Sequence, residues 1–121
     1  MKEFKLLITG GTNFTDMKIF AGVIETMSET LPKNSEISFV CSMAPGADAM
    51  AYMYAHQHGI KCHEFYPNRK NGIGAKITMQ AEMADFADGA LLFCAPEEDM
   101  GHMVAFLQSQ DKRVAVVHYS T

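Results

Sequence analysis

The sequence lacks a long hydrophobic run and lacks an excess of positive charge. A transmembrane helix needs about 20 consecutive apolar residues, and no stretch approaches that length, so we expect no membrane contact. Ten lysine and arginine residues stand against 14 aspartate and glutamate residues, for a formal net charge of −4. This balance argues against a nucleic-acid binder that works by general neutralisation of phosphates.

Cysteine is scarce as well. Cys41, Cys62 and Cys94 are odd in number and far apart in the sequence, each within or at the end of a candidate strand. We interpret them as small buried hydrophobic residues in a reducing compartment rather than as metal ligands or nucleophiles. Residues 1–4 lead into the first candidate strand without the layout of a signal peptide, so we expect a cytoplasmic protein.

What is present suits one globular domain. Hydrophobic residues make up 48% of the chain and charged residues 20%, which is ordinary for a folded protein and argues against disorder. A chain of 121 residues can bury a single core, and no repeat, linker or low-complexity segment divides it. We therefore treat residues 1–121 as one domain.

Short apolar runs alternate with stretches of helical periodicity. The pattern predicts strands at residues 5–9, 37–41, 60–65, 90–94 and 114–118, and helices at residues 16–31, 47–58, 75–86 and 100–108. Thr15 or Asp16 can cap the first helix and Pro32 ends it, while Gly59 closes the second. The inward side of the second helix is predicted to carry Ala47, Met50, Ala51, Tyr54 and His58.

Strands that alternate with helices pair in parallel, because a parallel partner requires a crossover connection. Right-handed crossovers then cover both faces of the sheet. The prediction is an α/β fold: a doubly wound, Rossmann-like, five-stranded parallel sheet in the order 3-2-1-4-5. Ligands bind such sheets beyond the carboxyl ends of the strands, where the order reverses. That crevice lies between the first and fourth strands, flanked by loops 10–16 and 95–101, with loop 42–48 beside them.

The loop after the first strand is the leading candidate for a binding site. It carries Thr9, Gly10, Gly11, Thr12 and Asn13. Two glycines between a strand and a helix let the backbone approach a ligand, and the helix N-terminus favours an anion. Thr12 adds a hydroxyl, and Asn13 can donate to a ligand or stabilise the turn. The alternative is a plain tight turn.

The loop after the second strand supplies Ser42, Pro45, Gly46 and Asp48. Proline suits the start of a helix, and a carboxylate in the first turn is favoured by the helix dipole. Asp48 is therefore explained either by the helix start alone or by acceptance of a hydrogen bond from a ribose hydroxyl or a base.

Charged clusters elsewhere are weaker candidates. Residues 68–74, followed by Lys76, form the only basic cluster, and Arg69 and Lys76 could reach over a phosphate or lie in a solvated loop. The acidic residues 97–99 would repel a phosphate; they could complement the dipole of the last helix or hold Mg²⁺ through water. We expect no metal or other fixed cofactor, since His56 and His58 are two apart on a helix and point away from each other.

The third and fourth helices carry more apolar surface than one sheet face needs, which predicts a homodimer or higher homo-oligomer through them. The apolar positions are Ile77, Met79, Ala81, Met83, Ala84 and Phe86, followed by Met103, Val104, Phe106 and Leu107.

Two motifs resemble a known family. Ile8-Thr9-Gly10-Gly11-x-Asn13-Phe14-x-Asp16 and Gly46-Ala47-Asp48-Ala49-Met50-Ala51 are similar to the YspA-type, cpYpsA-related branch of the SLOG superfamily. The resemblance is specific in the first half of the chain. It implies a Rossmann-like fold that binds nucleotides or nucleotide-derived ligands. Relatives include the LOG phosphoribohydrolases, which cleave a base from a nucleoside monophosphate, and sensor domains of anti-phage defence.

The sequence also departs from the family pattern, at positions in both halves of the chain. The family usually has an arginine at the position of Thr12 and a glycine where this chain has Cys41-Ser42. It usually has an Arg-Asn pair at the position of Met79-Gln80. Residues 96–101 replace a glycine-threonine phosphate loop. These departures argue against tight phosphate binding and against LOG-type hydrolysis.

Three functions follow from the sequence. The first is a nucleotide-derivative binding protein without catalysis, acting as a sensor or by sequestration. The second is an N-glycosidic hydrolase in which Asp48 or residues 97–99 act as acid and base. The third is a protein-interaction module that has lost its ligand.

Overall fold

Among the residues that the structure describes, nine elements follow one another as alternating strands and helices. The computed structural model describes residues 2–11, 14, 16–31, 35–42, 46–66, 72, 74–94 and 101–118. The strands are β1 (Lys2–Gly10), β2 (Ser35–Ser42), β3 (Cys62–Phe65), β4 (Gly89–Cys94) and β5 (Arg113–His118). The helices are α1 (Met17–Thr30), α2 (Ala47–His58), α3 (Ala75–Phe86) and α4 (Gly101–Gln108).

The five strands form one parallel sheet in the order β3-β2-β1-β4-β5, which confirms the predicted topology. β1 is the central strand. Its residues pair with β2 on one side, where Leu7 lies opposite Val40, and with β4 on the other, where Ile8 lies opposite Leu91. The strand order reverses between β1 and β4, because the chain moves outward from β1 to β3 and then returns to β4 on the other side.

Alternate residues of the central strands feed two separate cores, as the two-residue period of a strand requires. Leu6, Ile8 and Phe93 pack with α1 and α2 on one face. Leu7 and Leu92 pack with α3 and α4 on the other. Helices therefore cover both faces of the sheet, as predicted. The α1/α2 face is rich in aromatic rings, whereas the α3/α4 face is filled mainly by aliphatic and methionine side chains.

Most element boundaries agree with the predicted ones, and α2 and α3 match at both ends. β1 begins three residues earlier than predicted, because Lys2 to Lys5 continue the pairing with β2 despite their polar composition. β3 is shorter than predicted and begins at Cys62.

The inward side of α2 was predicted correctly except at one position. Ala47, Ala51 and Tyr54 are buried, but His58 is exposed in the last turn, with its ring 4.1 Å from that of Tyr54. The imidazole covers the core from outside rather than entering it. Within the described part of the chain, none of the helices has the length and apolar character that crossing a bilayer requires.

Candidate binding site at the carboxyl edge of the sheet

Three central strands end side by side at one edge of the sheet. β1 ends at Gly10, β2 at Ser42 and β4 at Cys94. α1 and α2 start from the same edge, because each follows the strand before it in a parallel sheet. The two loops singled out in the sequence therefore lie next to each other in space.

A buried carboxylate ties these elements together. Asp48, in the first turn of α2, is only 3% exposed. Its Oδ1 accepts a hydrogen bond from the Thr9 hydroxyl at 2.9 Å, and its Oδ2 accepts one from the Ser42 hydroxyl at 2.6 Å. One side chain thus connects the end of β1, the end of β2 and the start of α2. We call these three residues the Asp48 brace.

The electrostatics of the brace are set by burial. Removal of the Asp48 carboxylate from water raises its pKa above the ordinary value of an aspartate, because desolvation disfavours the charged form. Hydrogen bonds from the Ser42 and Thr9 hydroxyls, and from the backbone at Ser42 and Gly10, act in the opposite direction. Burial is the larger effect. The carboxylate consequently binds its proton more tightly in the folded protein than in the unfolded chain.

Gly10 and Gly11 both make close backbone contacts with Phe93 of β4. A Cβ at Gly10 would lie 2.1 Å from the carbonyl oxygen of Phe93, so only glycine fits where β1 ends beside β4. The Gly11 N–H donates to the same Phe93 carbonyl at 2.8 Å. The Gly11 carbonyl accepts from the N–H groups of Phe14 and Ala47, both at 3.3 Å. Packing against Phe93 thus accounts for the glycine at position 10, while hydrogen bonds hold the backbone at Gly11.

Phe14 anchors the loop between β1 and α1. It is 2% exposed, and its ring stacks on that of Phe93 with centroids 4.5 Å apart. Phe93 stacks in turn on Phe20 of α1, at 5.4 Å. Gly11 and Phe14 are therefore held in place, as a binding surface needs if it is to be formed before the ligand arrives.

The two helix N-termini at this edge differ in chemistry. α1 is capped by its own Asp16, whose Oδ1 accepts from the Ile19 N–H at 3.1 Å. α2 begins at Gly46, which has a φ of 88° and no side chain to offer as a cap. The Ala47 N–H donates to Gly11, while the next N–H groups of the first turn have no acceptor within the helix. Asp16 therefore caps α1 with its side chain, whereas Gly46 gives α2 no side-chain cap.

The amino-acid sequence assigns this arrangement to a known protein family. The YspA, cpYpsA-related SLOG family matches residues 4–72, from β1 through β3 and including both loops at the carboxyl edge. The chain belongs to this family. Neither the curated proteins nor the solved structures compared with the sequence gave a match.

The family match includes the Asp48 brace and stops before α3. It covers the first half of the chain, where the sequence motifs are most specific, and leaves out α3, β4, α4 and β5. Phe93, which fixes both glycines, lies outside the matched residues. The SLOG half of the chain therefore relies on the rest of the domain to shape its first loop.

The structure brings together most of the described candidate residues. Thr9 and Ser42 both bind Asp48, and Gly10, Gly11 and Gly46 lie in the same two loops. Other candidates lie outside the described residues: Thr12, Asn13, Pro45 and Arg69, together with the acidic residues 97–99. Lys76 is placed in the first turn of α3, but its side chain is also outside the described part.

Sequence reasoning missed two features of this site. It proposed Thr9, Ser42 and Asp48 separately as ligand contacts and did not predict that they bind one another. It also overlooked Phe14 as the anchor of the loop, although Phe14 belongs to the family motif and is an aromatic residue in an otherwise polar turn. That contrast is a usable signal for a buried loop residue.

A cavity of about 390 Å³ opens at the opposite edge of the sheet, between the end of α1 and the first residues of β1, β4 and β5. Its lining is mainly apolar and includes Phe4, Leu6, Met27 and Ile37. Such a lining offers few groups to a ribose, a base or a phosphate. We therefore place the candidate site at the carboxyl edge, where the polar groups converge.

In the described part of the chain, no group of three metal-binding side chains comes together.

Proposed function

We propose that this protein binds a nucleotide or a nucleotide-derived small molecule at the carboxyl edge of the sheet, beside the N-terminus of α2, and does not turn it over. It would act as a sensor or by sequestering the ligand. One observation carries the proposal: the Asp48 brace joins the ends of β1 and β2 to the start of α2, where Gly46 offers no side-chain cap, and Phe14 packs on Phe93 after β1. Membership of the SLOG family supports this ligand class.

The charge near α2 favours a ligand with little negative charge. The α2 N-terminus attracts an anionic group, but the Asp48 carboxylate lies in the same first turn and weakens that attraction. The sequence has Thr12 where the family usually has arginine. We therefore propose a ligand with one phosphate or none, and weaker binding of nucleoside triphosphates.

The hydrogen bonds of Asp48 support binding rather than hydrolysis. A general acid or base must reach the reacting atoms within about 3 Å, directly or through one water. Both oxygens of Asp48 accept from protein hydroxyls, and the side chain is almost wholly buried. This geometry suits a structural carboxylate that holds the loops.

The decisive experiment has two steps. Mass spectrometry of small molecules released from natively purified protein would identify a bound ligand. The thermal midpoint would then be measured with nucleosides, their mono-, di- and triphosphates and dinucleotide fragments, since a ligand that binds only the folded state raises that midpoint. We expect a shift with a nucleoside or monophosphate. No shift with any compound would contradict the proposal, and released free base would establish hydrolysis instead.

A matched pair of variants separates the two helix starts. Gly46→Asp places a carboxylate at the start of α2, whereas α1 already carries Asp16 there. Because Gly46 has a φ of 88°, the substitution also strains the backbone, so Gly46→Asn is the control of similar size and strain. We expect Gly46→Asp to weaken the binding of a monophosphate more than Gly46→Asn does. Equal losses would mean that the anion does not bind at α2.

We also propose that two copies associate through α3 and α4. Ile77 on α3 is 56% exposed, and these two helices pack against each other on one face of the sheet. Light scattering of the purified chain tests this. We expect a dimer that Ile77→Lys converts to a monomer, with Met53→Lys on the exposed side of α2 as the control. A monomeric parent protein would exclude the proposal.

A further inference from the structure

Two of the three cysteines, far apart in the sequence, meet in the fold. Cys41 lies on β2 and Cys62 on β3, and their sulfur atoms are 2.6 Å apart. The strand register explains the contact: Cys62 pairs with Phe39, so Cys41 is two residues further along β2 and on the same face of the sheet. Cys94 lies on β4, away from this pair, because β1 separates β4 from β2.

We propose that Cys41 and Cys62 form a reactive dithiol that hydroperoxides oxidise to a disulfide. A disulfide joins two sulfurs about 2.05 Å apart, and the Cys41 and Cys62 sulfurs, at 2.6 Å, lie close to that separation. Both thiols are free in the structure. The site thus takes a two-electron oxidant as its substrate, independently of any nucleotide at the carboxyl edge.

The surroundings assign different parts to the two sulfurs. Cys62 is half-buried on an edge strand, whereas Cys41 is fully buried beneath α2. The hydrogen bond between the two sulfurs lowers the pKa of Cys62, and the same contact, together with burial, raises that of Cys41. Cys62 is therefore the thiolate that meets the oxidant, and Cys41 is the resolving thiol.

The reaction proceeds in two balanced steps. The Cys62 thiolate attacks one oxygen of the peroxide, the O–O bond breaks, and the leaving alkoxide or hydroxide takes up a proton. The Cys62 sulfenic acid that results is then attacked by the Cys41 sulfur, which releases water and forms the S–S bond. Two thiols and one hydroperoxide give one disulfide, one alcohol (or water) and one further water. The sulfurs lose two electrons, and the peroxide gains them.

The disulfide would attach β3, a short edge strand with few backbone contacts, covalently to β2. β3 is four residues long, lies at the edge of the sheet, and pairs only with β2 among the described strands. A covalent bond to Cys41 would fasten it to the sheet and limit its opening. Cys41 is also followed by Ser42, a member of the Asp48 brace. Oxidation therefore acts next to the candidate binding site without using any of its residues.

The test is a thiol count and a peptide map of the full chain. Reduced protein is treated with one equivalent of hydrogen peroxide, its free thiols are alkylated, and the digest is analysed without reduction. We expect the thiol count to fall from three to one, a mass loss of about 2 Da for the two thiol hydrogens, and one peptide pair that joins Cys41 to Cys62. Dithiothreitol should restore all three thiols.

Three variants serve as controls. Cys94→Ser should still form the disulfide, while Cys41→Ser and Cys62→Ser should not. Sulfinic acid at Cys62 in the parent protein without a Cys41 link would overturn the proposal. So would links between chains, or reaction no faster than that of Cys94. Because the parent protein provides these results, the proposal remains testable even if the variants fold poorly.

Discussion

The loop after β1 and the loop after β2 stand at the same edge of one sheet but are stabilised in opposite ways. The first is held from outside its own sequence neighbourhood, by Phe93 of β4, which contacts Gly10, Gly11 and Phe14. The second is held from within the family region, by hydrogen bonds of Asp48 to Thr9 and Ser42. One loop depends on packing, and the other depends on a buried polar network.

The difference matters for function. A loop fixed by packing tolerates little change in shape, since protein interiors are close-packed. A loop fixed by a buried carboxylate is sensitive to pH and to the loss of a single hydrogen bond. We therefore expect the loop after β1 to change little in shape. We expect the stability of the loop after β2 to depend on pH and on the hydrogen bonds of Asp48. Substitutions in each loop test this contrast.

The largest effect is expected at Gly10. Gly10→Ala would place a methyl group 2.1 Å from the Phe93 carbonyl oxygen, and backbone atoms cannot move away without separating β1 from β4. We expect a loss of about 3 kcal/mol or more in the free energy of unfolding, measured by urea denaturation. Gly22→Ala is the control, because a Cβ at Gly22 in α1 has no neighbour within 4 Å. That control should be neutral or stabilising by up to about 1 kcal/mol. A mild effect at Gly10 would show that the end of β1 is adaptable.

Phe14→Ala comes next. Removing a fully buried ring that stacks on Phe93 leaves a cavity, with an expected cost of about 3 kcal/mol. The matched control is Phe86→Ala, since Phe86 is 37% exposed and should cost clearly less. If the Phe14 substitution proved no worse than the control in denaturation, the first loop would not be anchored by packing.

The sequence predicted the elements and both loops because those features depend on local patterns, and it predicted the sheet order because doubly wound folds commonly take that order. Apolar runs, helical periodicity and glycine positions are read within about ten residues of each other. The partners within the site are not local. Thr9 and Asp48 are 39 positions apart, and Cys41 and Cys62 are 21 apart. Which of these side chains meet depends on strand register, and a one-residue slip would send each to the other face.

The roles of the glycines show the same limit. The sequence left two explanations for Gly10 and Gly11, the approach of a ligand and a plain tight turn. For Gly10 the structure supplies a cause from β4, a strand that begins nearly 80 residues later. A glycine required by a distant backbone cannot be distinguished in one sequence from a glycine required by a ligand.

The brace and the α1 cap allow a comparison of two aspartates. Asp48→Ala leaves the buried Thr9 and Ser42 hydroxyls without their acceptor, and we expect a cost of about 2 kcal/mol. Asp16→Ala removes an exposed cap and should cost about 1 kcal/mol. Denaturation at neutral pH compares them. A larger loss at Asp16 would mean that the second loop does not depend on its buried network.

The smallest effect is expected from Asp48→Asn, which keeps an acceptor oxygen but removes the charge. The informative result is the direction in which the stability difference between the two proteins changes with pH. Since burial raises the pKa of Asp48 in the folded state, the folded protein binds a proton that the unfolded chain has already released. The stability that Asp48 contributes is therefore full below the unfolded pKa and declines as the pH rises toward the folded pKa. The substituted amide does not titrate, and all other carboxylates are common to both proteins, so their contributions cancel.

In urea denaturation at a series of pH values from acid to neutral, the parent protein should lose stability relative to Asp48→Asn as the pH rises. Asp16→Asn is the comparison in the first loop, where the carboxylate caps α1 at an exposed position. The opposite trend at Asp48, with the parent gaining stability toward neutral pH, would mean that hydrogen bonds from Ser42 and Thr9 outweigh burial. Asp48 would then be held as a carboxylate, and its charge would oppose an anionic ligand at α2 across the whole pH range.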